Sequence, residues 1–255
     1  MTELVLIERH DAVALLTLNL PHKRNALETE LTDALADALA ALQNDASCRA
    51  VVLSGGKHFS AGGSLDTLKT SGLEMRADMR RGHRLLRLIS AGRLPVVAAV
   101  EGAAFGAGLS LAAICDFVIC DSTAKFGAVY GKVGIMPDWG ALWVLPQRMG
   151  IGRTRELAMF SQVLGGVEAK TCGLADVLAE DGKTLETALD WAQRLADAAP
   201  GAISGTKAAL ARFPQSLDTM LDWEADTQAV LIASADFAEG RDAFFQKRPA
   251  KFTGR

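Results

Sequence analysis

Short apolar runs recur along this chain of 255 residues, each ending in a turn and leading into helix-forming sequence, and two of those turns consist almost wholly of small residues. The first reads Phe59-Ser60-Ala61-Gly62-Gly63-Ser64-Leu65 and the second Glu101-Gly102-Ala103-Ala104-Phe105-Gly106-Ala107-Gly108. Repetition of strand, turn and helix predicts an α/β fold with parallel strands, because a right-handed crossover returns the chain to the same sheet. A turn of glycine and alanine leaves its amides uncovered. Amides that open a helix also lack intrahelical acceptors and carry the positive end of its dipole. Together the turns predict two main-chain N–H donors aimed at one oxygen, with an anion or developing oxyanion as the guest. Close packing of strand on helix is the other use of such glycines, and it stays open for either turn taken alone.

Residues 4–8 and 13–19 alternate or run apolar around His10-Asp11, which predicts an antiparallel pair. Over 26–42, Leu27, Leu31, Leu35, Leu39 and Leu42 fall at near-helical spacing, and 50–53 follows as a buried strand. The unit then recurs, with a loop over 57–70, a helix over 75–91, a strand over 96–100, a helix over 106–113 and a strand over 117–120. Helices without intervening strands are expected over 190–196, 202–212, 217–234 and 235–246. The change of architecture near Ala199-Pro200-Gly201 divides the chain into regions 1–198 and 199–255, without a flexible linker between them.

A hydrophobic content of 49% suffices for a core without disulfides or metal, and a net charge of −3 with scattered basic residues gives no electrostatic case for nucleic acid. Lys23-Arg24, the group Arg76, Arg80, Arg81, Arg84 and Arg87, and Lys247, Arg248 and Lys251 are the basic concentrations. They read as solvated faces or as partners for the phosphates of a nucleotide-bearing substrate. Cys48, Cys115, Cys120 and Cys172 lack metal-site or redox-pair spacing, so no metal is expected. The most apolar zone, 94–120, is interrupted by Glu101 and Asp116 and falls short of the ~20 residues of a spanning helix. With no basic region followed by an apolar segment at the start, no membrane partner is expected and the cytoplasm is the expected compartment.

Upstream of the two turns stands Asn19-Leu20-Pro21-His22-Lys23-Arg24-Asn25-Ala26-Leu27, and downstream run Ala124-Lys125-Phe126-Gly127 and Gly134-Ile135-Met136-Pro137-Asp138. That order closely resembles the crotonase superfamily, also called the enoyl-CoA hydratase/isomerase family, from Leu4 to a closing stretch containing Phe237, Glu239, Gly240, Arg241, Ala243, Phe244, Lys247, Arg248 and Pro249. The resemblance implies a ββα spiral core with a C-terminal helical region that assembles homotrimers or dimers of trimers. It also implies an acyl-CoA substrate and no separate cofactor. It maps one oxyanion-hole amide onto Gly63 and the other onto Ala107, and runs the CoA portion past Lys23, Ala26 and Leu27, then along Ala61, Ser64 and Leu65. Lys23 or Arg24 would face phosphate, and Lys247 or Lys251 would contribute from the same or a neighbouring subunit, unless these are plain surface charges.

Hydratases of this family hold a water between two glutamates, and the corresponding positions here are Ser110 and Tyr130. Neither is a base at neutral pH, so ordinary two-glutamate hydration is disfavoured. Asp138 stands where several family isomerases, among them dienoyl-CoA isomerases and the epoxyphenylacetyl-CoA isomerase type, carry a catalytic aspartate. It also suits the cap of a helix over 139–145 after Pro137, and both readings stay open. Tyr130 and Ser110 remain candidates for pocket lining or an auxiliary role. Asp66 suits a solvated loop, Glu101 a strand end, Asp116 a structural acid, and His22, His58 and His83 ordinary packing or surface positions. The expected activity is a double-bond shift through an enolate with Asp138 as base. The alternatives are hydration, decarboxylation or C–C cleavage, and a thioester binder without turnover. The acyl group is expected to depend on the loop over 69–74.

Overall fold

The computed structural model describes residues 3–66, 68 and 71–255, so Lys69 and Thr70 of the loop expected to shape the acyl pocket lie outside the described residues. A hairpin of β1 (Val5–His10) and β2 (Val13–Leu18) opens the chain, with Asp11 at a φ of 51° in its tight connection. The large sheet continues with β3 (Ala50–Ser54), β4 (Val96–Val100), β6 (Phe117–Cys120) and β9 (Val177–Leu178), in the order β1-β2-β3-β4-β6-β9. Every pairing after the hairpin is parallel. A smaller sheet holds β5 (Ala103–Phe105), β7 (Lys125–Gly127) and β8 (Val163–Gly165).

Strands β2, β3, β4 and β6 of the large sheet are buried on both faces, which explains why they are continuous apolar runs rather than alternating ones. Val51, Leu53, Ala98, Val100, Val118 and Cys120 pack in one core with α1 (Thr29–Asn44), α2 (Gly72–Ala91) and α3 (Ala107–Ile114). Val52, Val97, Ala99 and Ile119 face the other way, against Ala188, Ala192 and Ala196 of α6 (Thr184–Asp197). Alanines four residues apart let α6 lie close to the strands.

The leucine spacing of α1 is as expected, but the helix starts at Thr29 rather than residue 26. Arg24 and Asn25 adopt left-handed φ values of 50° and 54°, and the Leu27 N–H is taken by the Gly62 carbonyl at 2.8 Å. Part of the basic face of α2 meets α1: Arg84 pairs with Asp37 at 2.7 Å and Arg81 lies 3.7 Å from Asp33. The chain continues through α4 (Ala141–Met159), α5 (Gly166–Thr171), α7 (Pro200–Leu210), α8 (Leu217–Leu231) and α9 (Ala235–Gln246). Asp116 is the structural acid anticipated. Its carboxylate accepts from the Val96 N–H at 2.7 Å and from Lys207 of α7, whose ammonium also donates to the Leu94 carbonyl at 2.7 Å. Burial pushes the Asp116 carboxyl up and the Lys207 charge pulls it down, so α7 is fastened to the end of β4 by a pair that loses its balance if either partner goes.

Candidate active site

Both glycine-rich turns leave the carboxyl ends of adjacent parallel strands, the first after β3 and the second after β4. In parallel α/β sheets that edge is where ligands bind. Beyond the strands the two turns are laced together. The Phe59 N–H donates to the Glu101 carbonyl at 3.0 Å, the Ser60 N–H to Ala103 at 2.9 Å, and the Phe105 N–H to Ser60 at 3.0 Å. A third segment locks on: the Ala61 N–H donates to the Arg24 carbonyl at 2.8 Å, and the Ser60 hydroxyl to the Asn25 carbonyl at 2.7 Å.

Asn25 is a residue for which the sequence offered no role. Its side chain, buried beneath the first turn, donates to the Gly55 and His58 carbonyls at 2.9 and 2.8 Å and accepts from the Leu20 N–H at 2.9 Å. Asparagine tolerates the left-handed conformation required there, and that is the one local signal its position carries.

Two glycines make the close approach possible. A Cβ on Gly62, whose φ is +92°, would stand 2.4 Å from the Phe105 carbonyl oxygen, and one on Gly108 would stand 2.7 Å from the Ser60 carbonyl oxygen. Gly63 differs, since a Cβ there meets nothing within 4 Å. Gly62→Ala is therefore expected to lower the folding free energy by about 1–3 kcal/mol, and Gly63→Ala by less than about 0.5 kcal/mol, in urea melts of the two variants. Equal midpoints would show that the turns do not interlock through Gly62.

A cavity of about 190 Å³ opens over this junction, lined by Gly63, Ala107, Tyr130 and Asp138 together with Leu27, Ala61, Ser64 and Leu65. Among the described residues, neither the Gly63 nor the Ala107 N–H donates to a protein acceptor. Ala107 opens α3, so its amide adds the positive end of a helix to the cavity wall. Met75, Met79, Val129, Val133, Ile135 and Trp139 make much of the rest apolar.

The other residues singled out from the sequence fall elsewhere. Ala26 is buried and Ser110 fully so, and neither lines the cavity. Lys23 is half exposed and paired with Glu28 at 2.6 Å, a carboxylate held below its usual range first by that contact. Asp66 is exposed and Glu101 lies outside the cavity, its carboxyl pushed up by burial and by the nearby Asp121 charge. Asp78 and Arg81 of α2 do line it. Nothing in the sequence separated Asp78 from the other charges of that amphipathic helix.

The structure corrects the capping alternative for Asp138. The helix expected over 139–145 begins at Ala141, capped by Gly140, with no side chain bonded to its first turn. Trp139 and Gly140 take φ values of 50° and 77°, and only the main-chain carbonyl of Asp138 meets the helix, accepting from the Ala141 N–H at 3.0 Å. Its carboxyl group instead lies beside Tyr130, and Oδ1 is buried with no hydrogen-bond partner among the described residues. Burial raises the affinity of this carboxylate for a proton, while hydrogen bonding from the Tyr130 hydroxyl works the other way. Tyr130 itself is held neutral, first by burial and then by the Asp138 charge.

The cavity lining thus combines two unused main-chain donors, a carboxyl group of raised proton affinity and apolar surface, a set of groups that suits a polarised carbonyl. A family model for enoyl-CoA hydratase/isomerase matches residues 8–255. The 2,3-dehydroadipyl-CoA hydratase of Escherichia coli is 34% identical over 257 residues and the 1,2-epoxyphenylacetyl-CoA isomerase of the same organism 33% identical over 262, each alignment covering 100% of both chains. The crystal structure of an enoyl-CoA hydratase from Polaromonas sp. JS666 matches with a TM-score of 0.93 at 33% identity, covering 97% of this chain and 99% of that one. Fold, turns and full-length similarity agree, and the chain belongs to the enoyl-CoA hydratase/isomerase family, the crotonases.

Proposed function

We propose that this enzyme moves a double bond along the acyl group of an enoyl-CoA, with Asp138 as its base. Members of the family act on acyl-CoA thioesters and need no cofactor. The observation that carries the finer reading is Asp138, its carboxyl raised in proton affinity and free of any capping duty, lining the same cavity as Gly63 and Ala107, whose amides are unused.

In this reading the thioester oxygen accepts from both N–H groups. Asp138 removes a proton from the α or γ carbon, the electron pair moves into the carbonyl to give an enolate, and the Asp138 carboxylic acid returns the proton at the other end of the conjugated system. One base suffices, and the hydratase glutamate positions hold Ser110 and Tyr130. Leu27, Ala61, Ser64 and Leu65 would guide the CoA portion, with Lys23 and Arg24 near its phosphates. A homotrimer or dimer of trimers is the assembly that goes with this reading, supported by Phe160, Phe244 and Phe245, each at least 75% exposed in the single chain.

The test is incubation with 3-enoyl-CoA and 2-enoyl-CoA in deuterated buffer, followed by mass spectrometry and NMR. Interconversion of the two, with deuterium at the α or γ carbon, is the expected result. Accumulation of 3-hydroxyacyl-CoA would instead assign hydration, loss of carbon dioxide or chain cleavage would assign the other enolate reactions, and bound but unchanged thioester would assign a binder.

A further inference from the structure

We propose that Ser110 is a positioning residue for Asp138, closing a ring of hydrogen bonds through the Tyr130 hydroxyl and the Asp138 main-chain carbonyl whose direction reverses each time the Asp138 carboxyl gains or loses a proton. The inference rests on Asp138 being the base of the proposed reaction. A single base that removes a proton at one carbon and returns it at another must be tolerated in both protonation states within one turnover. Every hydroxyl around it must then find a partner in both.

The Ser110 contacts of the ring are in place, and the Asp138 carboxyl lies beside Tyr130. Ser110 lies one helical turn after Ala107 on α3 and is fully buried. Its Oγ stands 2.8 Å from the Tyr130 Oη, 3.1 Å from the Asp138 main-chain oxygen and 3.4 Å from the Gly106 carbonyl. A serine hydroxyl has one hydrogen and two lone pairs, so it either donates to Tyr130, or accepts from Tyr130 and donates to a carbonyl. With Asp138 ionised, Ser110 donates to Tyr130 and Tyr130 donates to the carboxylate. With Asp138 protonated, the carboxylic acid donates to Tyr130, Tyr130 donates to Ser110, and Ser110 donates to the Asp138 main-chain carbonyl. No proton is gained or lost by the two hydroxyls themselves; they only rotate.

Of the many charged and titratable groups on the elements around Asp138, few reach the cavity. Tyr130 and Lys132 lie on the 3₁₀ turn Val129–Val133, and α3 carries none. Glu28 precedes α1, Asp78 and Arg81 reach the cavity from α2, and the Arg148 guanidinium of α4 is engaged by Ala113, Cys115 and Asp176. Tyr130 is the one among them that moves the Asp138 carboxyl.

The two hydroxyls then have opposite effects. Removing Ser110 deprives the protonated state of two hydrogen bonds and the ionised state of one, so Asp138 becomes harder to protonate. Removing the Tyr130 hydroxyl deprives the ionised state of its charge-assisted donor, so Asp138 becomes easier to protonate.

The test is a pH titration of the carboxylic-acid stretch by infrared difference spectroscopy, assigned to Asp138 by its loss in Asp138→Asn. Relative to wild type, Ser110→Ala is expected to lower the midpoint, and Tyr130→Phe to raise it, each by about one pH unit, the scale of one buried hydrogen bond. Shifts in the same direction, or no shift in either variant, would overturn the ring. The titration needs no turnover. Isomerisation persisting in Asp138→Asn would remove the proposed base, while the opposed shifts would still report the hydrogen-bond ring.

Discussion

Asp138→Asn is expected to lower the isomerisation rate by about 10²- to 10⁴-fold, the usual contribution of a positioned general base. The fold should not suffer. The carboxyl side chain caps no helix, and one of its oxygens is buried without a partner, so an amide of the same shape removes a cost rather than a support. The sign of the stability change follows from proton binding. Burial raises the affinity of Asp138 for a proton above that of an unfolded chain, so the folded wild type loses stability as pH rises from the ordinary carboxylate range through the raised value. The melting temperature of Asp138→Asn should match wild type at acidic pH and exceed it once the pH has passed through that window. The rate of the wild type should rise with pH through the same window, because the ionised carboxylate is the base. Wild-type turnover in a folded Asp138→Asn protein would remove it from the mechanism. A melting temperature that drops at every pH would assign the carboxyl a structural duty instead.

Sequence reasoning reached the fold where one physical constraint dominates. The leucines of α1 must face the sheet at helical spacing, and strands covered on both sides must be apolar throughout, so both were legible. The small sheet was not, because β5, β7 and β8 are each three residues long and owe their existence to partners distant in sequence. The two turns could be singled out because small side chains are a local property, while Gly63 and Ala107 within them came from the family resemblance. The bracket formed by Asn25 could not, since its side chain reaches carbonyls 30 and 33 residues away. Asp138 lies between these cases. Pro137-Asp138 suggested a cap, but the left-handed turn at Trp139 and Gly140 carries the helix start past it, and Asp138 lines the cavity. A local preference was overridden by backbone geometry, and the side chain is left without a capping duty.

Ala107→Pro tests the other half of the site with little disturbance to the rest. A main-chain donor cannot be removed by shortening a side chain, but proline lacks the N–H altogether. At most positions that would break a helix. Ala107, however, is the first residue of α3, where proline's fixed φ is favourable and the missing hydrogen has no intrahelical partner to lose. The preceding residue is Gly106, which tolerates the restriction proline places on its neighbour. The ring carbon bonded to nitrogen would take the place of the amide hydrogen. Turnover is expected to fall by about 10²- to 10³-fold, the loss seen when one donor to a developing oxyanion is removed, with far-UV dichroism retained. Ala107→Gly, which keeps the N–H, should stay within a few-fold of wild type. The same pair separates binding from catalysis. If the donor acts on the enolate more than on the ground-state carbonyl, kcat should carry most of the loss and the affinity for unreactive saturated acyl-CoA should change far less. Turnover at the wild-type level in a folded Ala107→Pro protein would mean that the carbonyl oxygen binds elsewhere, and the convergence of the two turns would then serve packing alone.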